Sequence, residues 1–368
     1  MAITKMRWYP YSVPFRHPFT TAHGTLTMRE GAIVEVFVEG NGSGIGEIAP
    51  MPEFGGETLD AALTILPSIA AHLSGRTLIE ALNYVSIQQE AGELPAGVAC
   101  GLEIALLDAL GKQEGCSIST LLATNAAKTV VAANAVIGAQ PVEAAARQAR
   151  EAVAAGFRCL KLKIGHGLYE EIERVAAVRK AVGPEIHLRL DGNEGWSFEQ
   201  ARTILAACEP FAIQYVEQPL RVYDLSGMYR LRQEVSIPIA ADEAVYNLES
   251  ARRVLDWQAA DVLIVKPQLV GGLRVGQRIV YEAAKYDVPC VVTSMIETGV
   301  GLLGALHLAA ALPYITLECG FATLPLLADN LICEPCSLQH GILVVPQQPG
   351  LGVTLDRTAL AKYRRTIQ

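Results

Sequence analysis

The sequence has no tract of like charges, and only 18% of its 368 residues are Asp, Glu, Lys or Arg. Its formal net charge is −8, and the charged residues are dispersed along the chain. Proteins that hold nucleic acid or an anionic membrane by electrostatics concentrate basic side chains on one surface. We therefore expect no nucleic-acid and no membrane partner.

The sequence also lacks a long apolar run. The longest, residues 299–312, is interrupted by Gly301 and Gly304 and contains His307, so it predicts a buried helix rather than a membrane span. The first ten residues lack the apolar core of a signal peptide. Eight cysteines lie in apolar surroundings, with one isolated C-x-x-C at 333–336. These features predict a cytoplasmic protein with reduced thiols.

Hydrophobic residues make up 51% of the chain, enough for a large core, and the length suggests about two domains. Residues 1–125 read as an α+β region. Strand-like runs at 7–13, 32–38 and 44–48 precede helical patterns at 58–74, 77–89 and 96–114. Polar segments at 19–30 and 49–56 are too long for simple turns, so they predict loops that could act as lids.

From about residue 125 strand-like and helical patterns alternate. This alternation predicts a TIM-type barrel, with a doubly wound parallel sheet as the weaker alternative. After residue 330 the chain becomes irregular and is expected to return to the first region. The eight predicted strands cover 129–136, 158–164, 186–191, 213–217, 238–242, 261–266, 289–294 and 315–319.

Five charged residues end five consecutive predicted strands: Lys163, Asp191, Glu217, Asp242 and Lys266. The intervals between them are 28, 26, 25 and 24 residues, which is the length of one strand, one helix and two loops. Parallel α/β proteins keep their chemistry at the carboxyl ends of the strands. The series therefore predicts a site at that end of the barrel.

Three carboxylates without nearby His or Cys favour Mg²⁺, with Mn²⁺ as an alternative. Lys161 and Lys163 are two residues apart, so they point to the same face of a strand. Burial and mutual repulsion are expected to lower a lysine pKa toward the range of about 7–8 that suits a general base. Lys266 would approach from the opposite side. Such a site suits removal of the proton α to a carboxylate through an enediolate.

Five motifs resemble the enolase superfamily, muconate lactonizing enzyme subgroup: Lys161-Leu-Lys163, Asp191-Gly-Asn193, Val216-Glu217-Gln-Pro, Asp242-Glu243 and Lys266-Pro-Gln-Leu-Val-Gly-Gly272. The resemblance implies a (β/α)7β barrel at 126–328. An α+β capping domain would be formed by 1–125 and the C-terminal segment 329–368. It also implies that Asp191, Glu217 and Asp242 bind Mg²⁺, that Lys163 and Lys266 act on a small carboxylate substrate, and that a homo-oligomer is compatible with the family. Asn193 could orient a ligand, and Glu243 could support the site.

The segments 21–24, 29–31, 294–298 and 320–324 are similar to those of o-succinylbenzoate synthases, which act in menaquinone biosynthesis. This resemblance implies dehydration of 2-succinyl-6-hydroxy-2,4-cyclohexadiene-1-carboxylate. The base would be Lys163, and Lys266 would act as a cation. The substrate-binding residues would be His23, Phe54, Asn193, Ser294, Ile296, Glu297 and Gly320.

Three alternatives stay open. The first is a racemase of N-succinylamino acids or an epimerase of dipeptides. Dipeptide epimerases commonly carry Asp-x-Asp after the last barrel strand, where this chain has Glu318-Cys-Gly320. The second is cycloisomerisation of a muconate. The third is a catalytically silent metal-binding barrel, which would exchange no α-proton with solvent.

Overall fold

A computed structural model describes residues 1–21, 24–40, 42–164, 168–336 and 338–366. The strands are β1 (Ile3–Thr21), β2 (Gly24–Val38), β3 (Ser43–Ile48), β4 (Val130–Ala132), β5 (Ala135–Ile137), β6 (Cys159–Lys163), β7 (His187–Asp191), β8 (Ile213–Glu217), β9 (Ile239–Ala241), β10 (Val262–Val265), β11 (Cys290–Val292), β12 (Leu338–Gln339) and β13 (Ile342–Val344). The helices are α1 (Leu59–Leu73), α2 (Leu78–Glu90), α3 (Ala96–Glu114), α4 (Ile118–Leu122), α5 (Val142–Ala154), α6 (Leu168–Val182), α7 (Phe198–Cys208), α8 (Leu225–Glu234), α9 (Leu248–Asp256), α10 (Pro267–Val270), α11 (Leu273–Ala284), α12 (Gly299–Ala311) and α13 (Arg357–Lys362). Short 3₁₀ turns occur at Pro52–Phe54, Glu209–Phe211 and Leu324–Leu326.

The N-terminal region is an antiparallel sheet of order β1-β2-β3. The helices α1, α2 and α3 follow it, as predicted, and Thr58 and Thr77 cap the first two. The sequence predicted a long loop at 19–30. For residues 19–21 and 24–30 this prediction is wrong, because β1 continues to Thr21 and β2 begins at Gly24. Cross-strand backbone pairing extends the hairpin through a segment whose polar composition suggested a loop.

The second region is a seven-stranded parallel sheet of order β11-β10-β9-β8-β7-β6-β5. Each of its seven strands is followed by a helix, which agrees with the predicted alternation. The strand residues are buried in two groups. One group shares a core cluster with the amphipathic helices, and the other forms a separate cluster of Tyr215, Ala240, Val262, Ile264 and Val291. The sequence Ser197-Phe-Glu-Gln200 has the spacing of a capping box, and Ser197 and Gln200 form that box at the start of α7.

Two of the eight predicted strands differ in the structure. The run at 129–136 is split into β4, which pairs antiparallel with β13, and β5, which pairs parallel with β6. The run at 315–319 forms no regular strand. Instead, single parallel bridges join Cys319 to Ala133 and Gly320 to Thr293, at the two edges of the seven-stranded sheet. The parallel sheet with helices is confirmed, and the complete (β/α)7β barrel stays a prediction.

The C-terminal segment packs against the N-terminal sheet. The Ser12 amide donates a hydrogen bond to Tyr363 O, and the Arg365 amide donates one to Pro10 O. Just before this segment, the Ala328 amide donates to Pro14 O. These bonds join β1 to residues 328 and 363–365. The domain limits at 125/126 and 328/329 stay a prediction. No helix in the described parts of the chain is long and apolar enough to span a membrane.

Candidate active site

The charged residues predicted at strand ends lie at one edge of the parallel sheet. The pairing register places Lys163 beside Asp191 and Asp191 beside Glu217. Asp242 and Lys266 directly follow β9 and β10. In the order of the sheet, the two lysines lie on either side of the three strands whose ends carry the carboxylates.

Ion pairs connect these side chains. Lys161 Nζ lies 2.8 Å from Asp191 Oδ2 and 2.7 Å from Glu217 Oε1, so its ammonium group stands between two carboxylates. Lys163 Nζ lies 2.7 Å from Asp191 Oδ2. On the other side, Lys266 Nζ lies 2.6 Å from Asp242 Oδ2. The prediction that Lys161 and Lys163 face the same way is confirmed by their shared contact with Asp191.

Burial and charge pairing act in opposite directions on these groups. Burial raises the pKa of Glu217 to about 7, against the attraction of Lys161. Burial also raises the pKa of Asp242. The pKa of Asp191 is held well below its usual value, because Lys161 and Lys163 outweigh the effect of burial.

The expectation that burial lowers a lysine pKa here is wrong for Lys161. Burial does favour its neutral form, but the carboxylates of Asp191, Glu217 and Asp242 outweigh burial and hold the pKa of Lys161 well above its usual value. For the same reason the pKa of Lys266 is raised, with Asp242 as the main partner. In both cases the neighbouring carboxylates favour the protonated form of the lysine.

The carboxylates suit a divalent cation in their chemistry. Asp191, Glu217 and Asp242 are 0%, 1% and 2% exposed, and Asp242 Oδ1 is buried without a hydrogen-bond donor among the described residues. Within that part of the chain no cluster of three or more metal-binding side chains is already assembled. The lysine ammonium groups separate the acids, and an unsatisfied buried carboxylate oxygen is a group that a hard cation would satisfy.

Asn193 and Glu243 extend the site between the two lysines. Lys163 Nζ donates to Asn193 Oδ1 at 2.7 Å, and Asn193 Nδ2 donates to Glu243 Oε1 at 3.3 Å. Asn193 has a left-handed backbone, with φ of 40°, which turns the chain directly after β7. Burial raises the pKa of Glu243, and its Oε2 atom is buried without a donor in the described structure. Both residues therefore lie where the sequence suggested.

Four of the residues predicted to bind substrate lie beyond β11 or beside it. Ser294, Ile296 and Glu297 belong to one tight loop, in which the Ile296 amide donates to Ser294 Oγ at 2.9 Å and Glu297 Oε2 accepts from the Met295 amide at 2.9 Å. Gly320 accepts from the Ser294 amide. Their contact with substrate stays a prediction. His23 and the Phe54 side chain lie outside the described residues.

Glu318 is used elsewhere in the structure. Its Oε2 atom accepts from Arg189 Nη2 at 2.9 Å, and its Oε1 atom lies 2.9 Å from His187 Nδ1. Arg189 is fully buried. Both carboxylate oxygens of Glu318 are thus paired with side chains of β7, one of them the buried Arg189 guanidinium group.

Two buried residues in this region were not foreseen. Gln218 follows β8, and its Oε1 atom accepts from the amides of Asp242 and Ala244 at 3.0 and 3.3 Å. Among the described residues, Arg29 of β2 donates to backbone carbonyls, including that of Ile296 at 2.9 Å. The Glu217-Gln-Pro motif is a signal for the first residue. The second lies in segment 29–31, which the resemblance had singled out, but its contacts with main-chain carbonyls at 49–50 and 295–296 leave no pattern in the sequence.

Comparison with known proteins shows related sequences along nearly the whole chain. A family model described as "Enolase C-terminal domain-like" matches residues 144–359, and one described as "MenC, N-terminal domain" matches residues 3–109. The o-succinylbenzoate synthase of Thermobifida fusca is 38% identical over 221 residues, which are 59% of this chain and 67% of that protein.

Most of the strong curated matches are dipeptide epimerases. The D-Ala-D/L-Ala epimerase of Cytophaga hutchinsonii is 28% identical over 98% of both chains. Among solved structures, the dipeptide epimerase of Enterococcus faecalis with Mg and the dipeptide L-Leu-L-Tyr superposes with a TM-score of 0.91. It is 28% identical, and the match covers 96% of this chain and 100% of that one. An N-succinyl-L-Arg/Lys racemase of Bacillus cereus also matches, at 25% identity over 86% of both chains.

Proposed function

Because this chain belongs to the enolase superfamily of enzymes, we propose that it removes and returns the proton α to the carboxylate of an N-acylated amino acid or dipeptide, with Mg²⁺ as cofactor. The observation that carries the proposal is the position of Lys163 and Lys266 on either side of three strands that end in buried carboxylates. Racemisation and epimerisation need a base on each face of the α-carbon, and this arrangement supplies one on each side.

Asp191, Glu217 and Asp242 would hold the cation. When bound, Mg²⁺ would supply positive charge to the substrate carboxylate as the α-proton leaves. The Lys161 ammonium group, charged and paired with Asp191 and Glu217, would fix those two carboxylates. Lys163 and Lys266 would exchange the proton from opposite faces. Manganese in place of magnesium is compatible with the same oxygen ligands.

We infer that a substrate without a free ammonium group suits the site better. A dipeptide carries a positive N-terminus that needs an acidic partner, and Glu318 is already bound to Arg189 and His187. An N-succinylamino acid carries a neutral amide at that position instead. For this reason N-succinylamino acids come before dipeptides among the substrates that we propose.

The test is exchange of the α-proton in deuterated water, followed by proton NMR, with both enantiomers of several N-succinylamino acids and with L-Ala-L-Glu. We expect the wild-type protein with Mg²⁺ to deuterate and racemise at least one of them. Lys163→Ala and Lys266→Ala should each lower exchange from one enantiomer by about 10²–10⁴-fold. Lys180→Ala, an exposed change on α6, is the control. Exchange of both enantiomers by both variants would contradict the two-base mechanism.

A second candidate is o-succinylbenzoate synthesis, which the MenC match at 3–109 and the 38% identical Thermobifida protein favour. In that reaction Lys163 would be the base and Lys266 a cation beside the developing charge. Metal-dependent turnover of 2-succinyl-6-hydroxy-2,4-cyclohexadiene-1-carboxylate at about 10⁴ M⁻¹s⁻¹ or more in kcat/KM would establish it. Turnover of this substrate without exchange of any amino-acid derivative would replace the first proposal. A folded protein that exchanges no α-proton and turns over nothing would favour the silent metal-binding barrel.

A further inference from the structure

Arg29 is a buried cation whose hydrogen-bond acceptors, within the described parts of the chain, are backbone carbonyls. It belongs to β2 of the N-terminal sheet and is 3% exposed. Its Nη1 atom donates to Glu30 O at 2.7 Å and Pro50 O at 2.9 Å, and its Nη2 atom donates to Ala49 O at 2.5 Å. A buried guanidinium group has five N–H donors in a fixed plane, so it can bind several chain segments at once.

The remaining donors of Arg29 reach the loop that follows β11. Nε donates to Ile296 O at 2.9 Å, and Nη2 is 3.4 Å from Met295 O. This loop directly follows the strand that pairs with β10, whose end leads to Lys266. Arg29 therefore connects the N-terminal sheet, the segment at 49–50 and a loop at the edge of the candidate active site.

Ile296 has a backbone conformation that a β-branched residue rarely adopts. Its φ is 61°, in the left-handed region. Such a conformation is strained and persists only where the surroundings enforce it. The carbonyl of this residue is the one that accepts from Arg29 Nε, and its amide donates to Ser294 Oγ. The strained peptide is thus held on both sides.

We propose that Arg29 is a positioning residue that holds Ile296 in its left-handed conformation and thereby fixes the loop Ser294–Thr298 over the substrate. The inference deepens the proposed function, because it assigns the shape of one wall of that site to a residue of the N-terminal sheet. Arg29 has no part in proton transfer.

The first test does not depend on any substrate. Amide hydrogen–deuterium exchange is measured by mass spectrometry for wild type and Arg29→Gln, on peptides that cover 293–301 and 303–311. We expect exchange in 293–301 to become about tenfold faster or more, while 303–311 is unchanged, because the clamp acts on the loop alone. Arg29→Lys, which keeps the charge with fewer donors, should give an intermediate rate. Arg7→Gln, an exposed change on β1, is the control. Unchanged exchange in Arg29→Gln would overturn the proposal.

The second test is a double-mutant cycle with Ile296→Gly and with Ile296→Asn, since both residues accept a left-handed backbone. With Ile296 in place, Arg29→Gln should lower kcat/KM about 100-fold through misplacement of the loop. In either Ile296 variant the same change should cost less than about tenfold, because the strain that Arg29 opposes is gone. If Arg29→Gln lowers kcat/KM by the same factor with and without the Ile296 substitution, the proposal is overturned. If the wild type turns over no substrate, the proposed function fails, and the exchange measurement still decides the role of Arg29.

Discussion

Lys161 and Lys163 differ in their contacts although they lie two residues apart on one strand. The ammonium group of Lys161 is shared between Asp191 and Glu217, and its side chain is 15% exposed. Lys163 contacts Asp191 and Asn193, and its side chain is 31% exposed. The more accessible amine can reach a substrate, whereas the enclosed one neutralises two acids. This difference supports Lys163 rather than Lys161 as the base.

Gln218 is expected to fix Asp242 for metal binding. It is fully buried, accepts from the Asp242 and Ala244 amides, and donates to Leu220 O at 2.9 Å. Gln218→Leu would leave two amides without an acceptor, so we expect a loss of about 1–3 kcal/mol in the free energy of unfolding. Weaker orientation of Asp242 should reduce Mg²⁺ affinity about 10–100-fold.

Urea unfolding and titration calorimetry with Mg²⁺ would measure the two effects. Gln277→Leu is a matched control, since Gln277 of α11 donates to Leu122 O of α4, which is not part of the candidate site. It should leave Mg²⁺ affinity unchanged. Wild-type affinity in Gln218→Leu would show that Asp242 needs no such support.

At the scale of elements, β3 packs on α3 with almost no space between the two backbones. A Cβ atom at Gly46 would lie 1.9 Å from Gly101 O, and one at Gly44 would lie 2.1 Å from Ala105 O. The sequence Ser-Gly-Ile-Gly therefore permits a contact that no other residue type allows. This contact packs the N-terminal sheet against α3.

Gly46→Ala should therefore be strongly destabilising. The added methyl group would meet main-chain atoms, which cannot rotate away, so β3 or α3 must shift. We expect a loss of about 1–3 kcal/mol or more in the free energy of unfolding, measured by urea denaturation. Gly138→Ala is the control, because the nearest atom to its Cβ position is 3.9 Å away. Equal stability of the two variants would contradict the close packing.

Elements with strong local signals could be predicted from the sequence, and those that depend on distant pairing could not. The Ser197 cap and the helical periodicity fixed the start of α7, and the regular spacing of charged residues located the site. The hairpin at 19–30 and the bridges at Cys319 and Gly320 depend on partners elsewhere in the chain, so composition alone was misleading. Arg29 belongs to segment 29–31, but its role could not be predicted for the same reason, since the acceptors described for it are main-chain oxygens.

At the scale of the whole molecule, buried polar contacts join the N-terminal sheet to the region of the parallel sheet. Glu47 of β3 is fully buried and accepts from the Thr298 and Gly301 amides, both at 2.8 Å, at the start of α12. A carboxylate at the N-terminus of a helix satisfies free amides and interacts favourably with the helix dipole. Together with Arg29, this contact makes the loop before α12 depend on the N-terminal sheet for its position.

His307 joins α12 to two further parts of the chain and should make stability depend on pH. Its Nδ1 atom accepts from the Ser119 amide of α4 at 3.2 Å, and its Nε2 atom donates to Leu351 O at 3.1 Å in the C-terminal segment. Both nitrogens are thus used by the neutral ring. Burial lowers the pKa of His307 from 6.5 to about 4.

The unfolded chain takes up a proton at this residue near pH 6.5, whereas the folded chain does so only near pH 4. The contribution of the neutral ring is therefore fully present above about pH 6.5 and is lost as the pH falls toward 4. From pH 7.5 to pH 5 we expect His307 to account for about 2 kcal/mol of the lost free energy of unfolding.

Urea unfolding of wild type and His307→Gln at both pH values isolates this share, because the other titrating groups are common to both proteins. His72→Gln, an exposed change on α1, should keep the wild-type dependence. An equal pH dependence in His307→Gln would show that the ring is not held neutral by the fold.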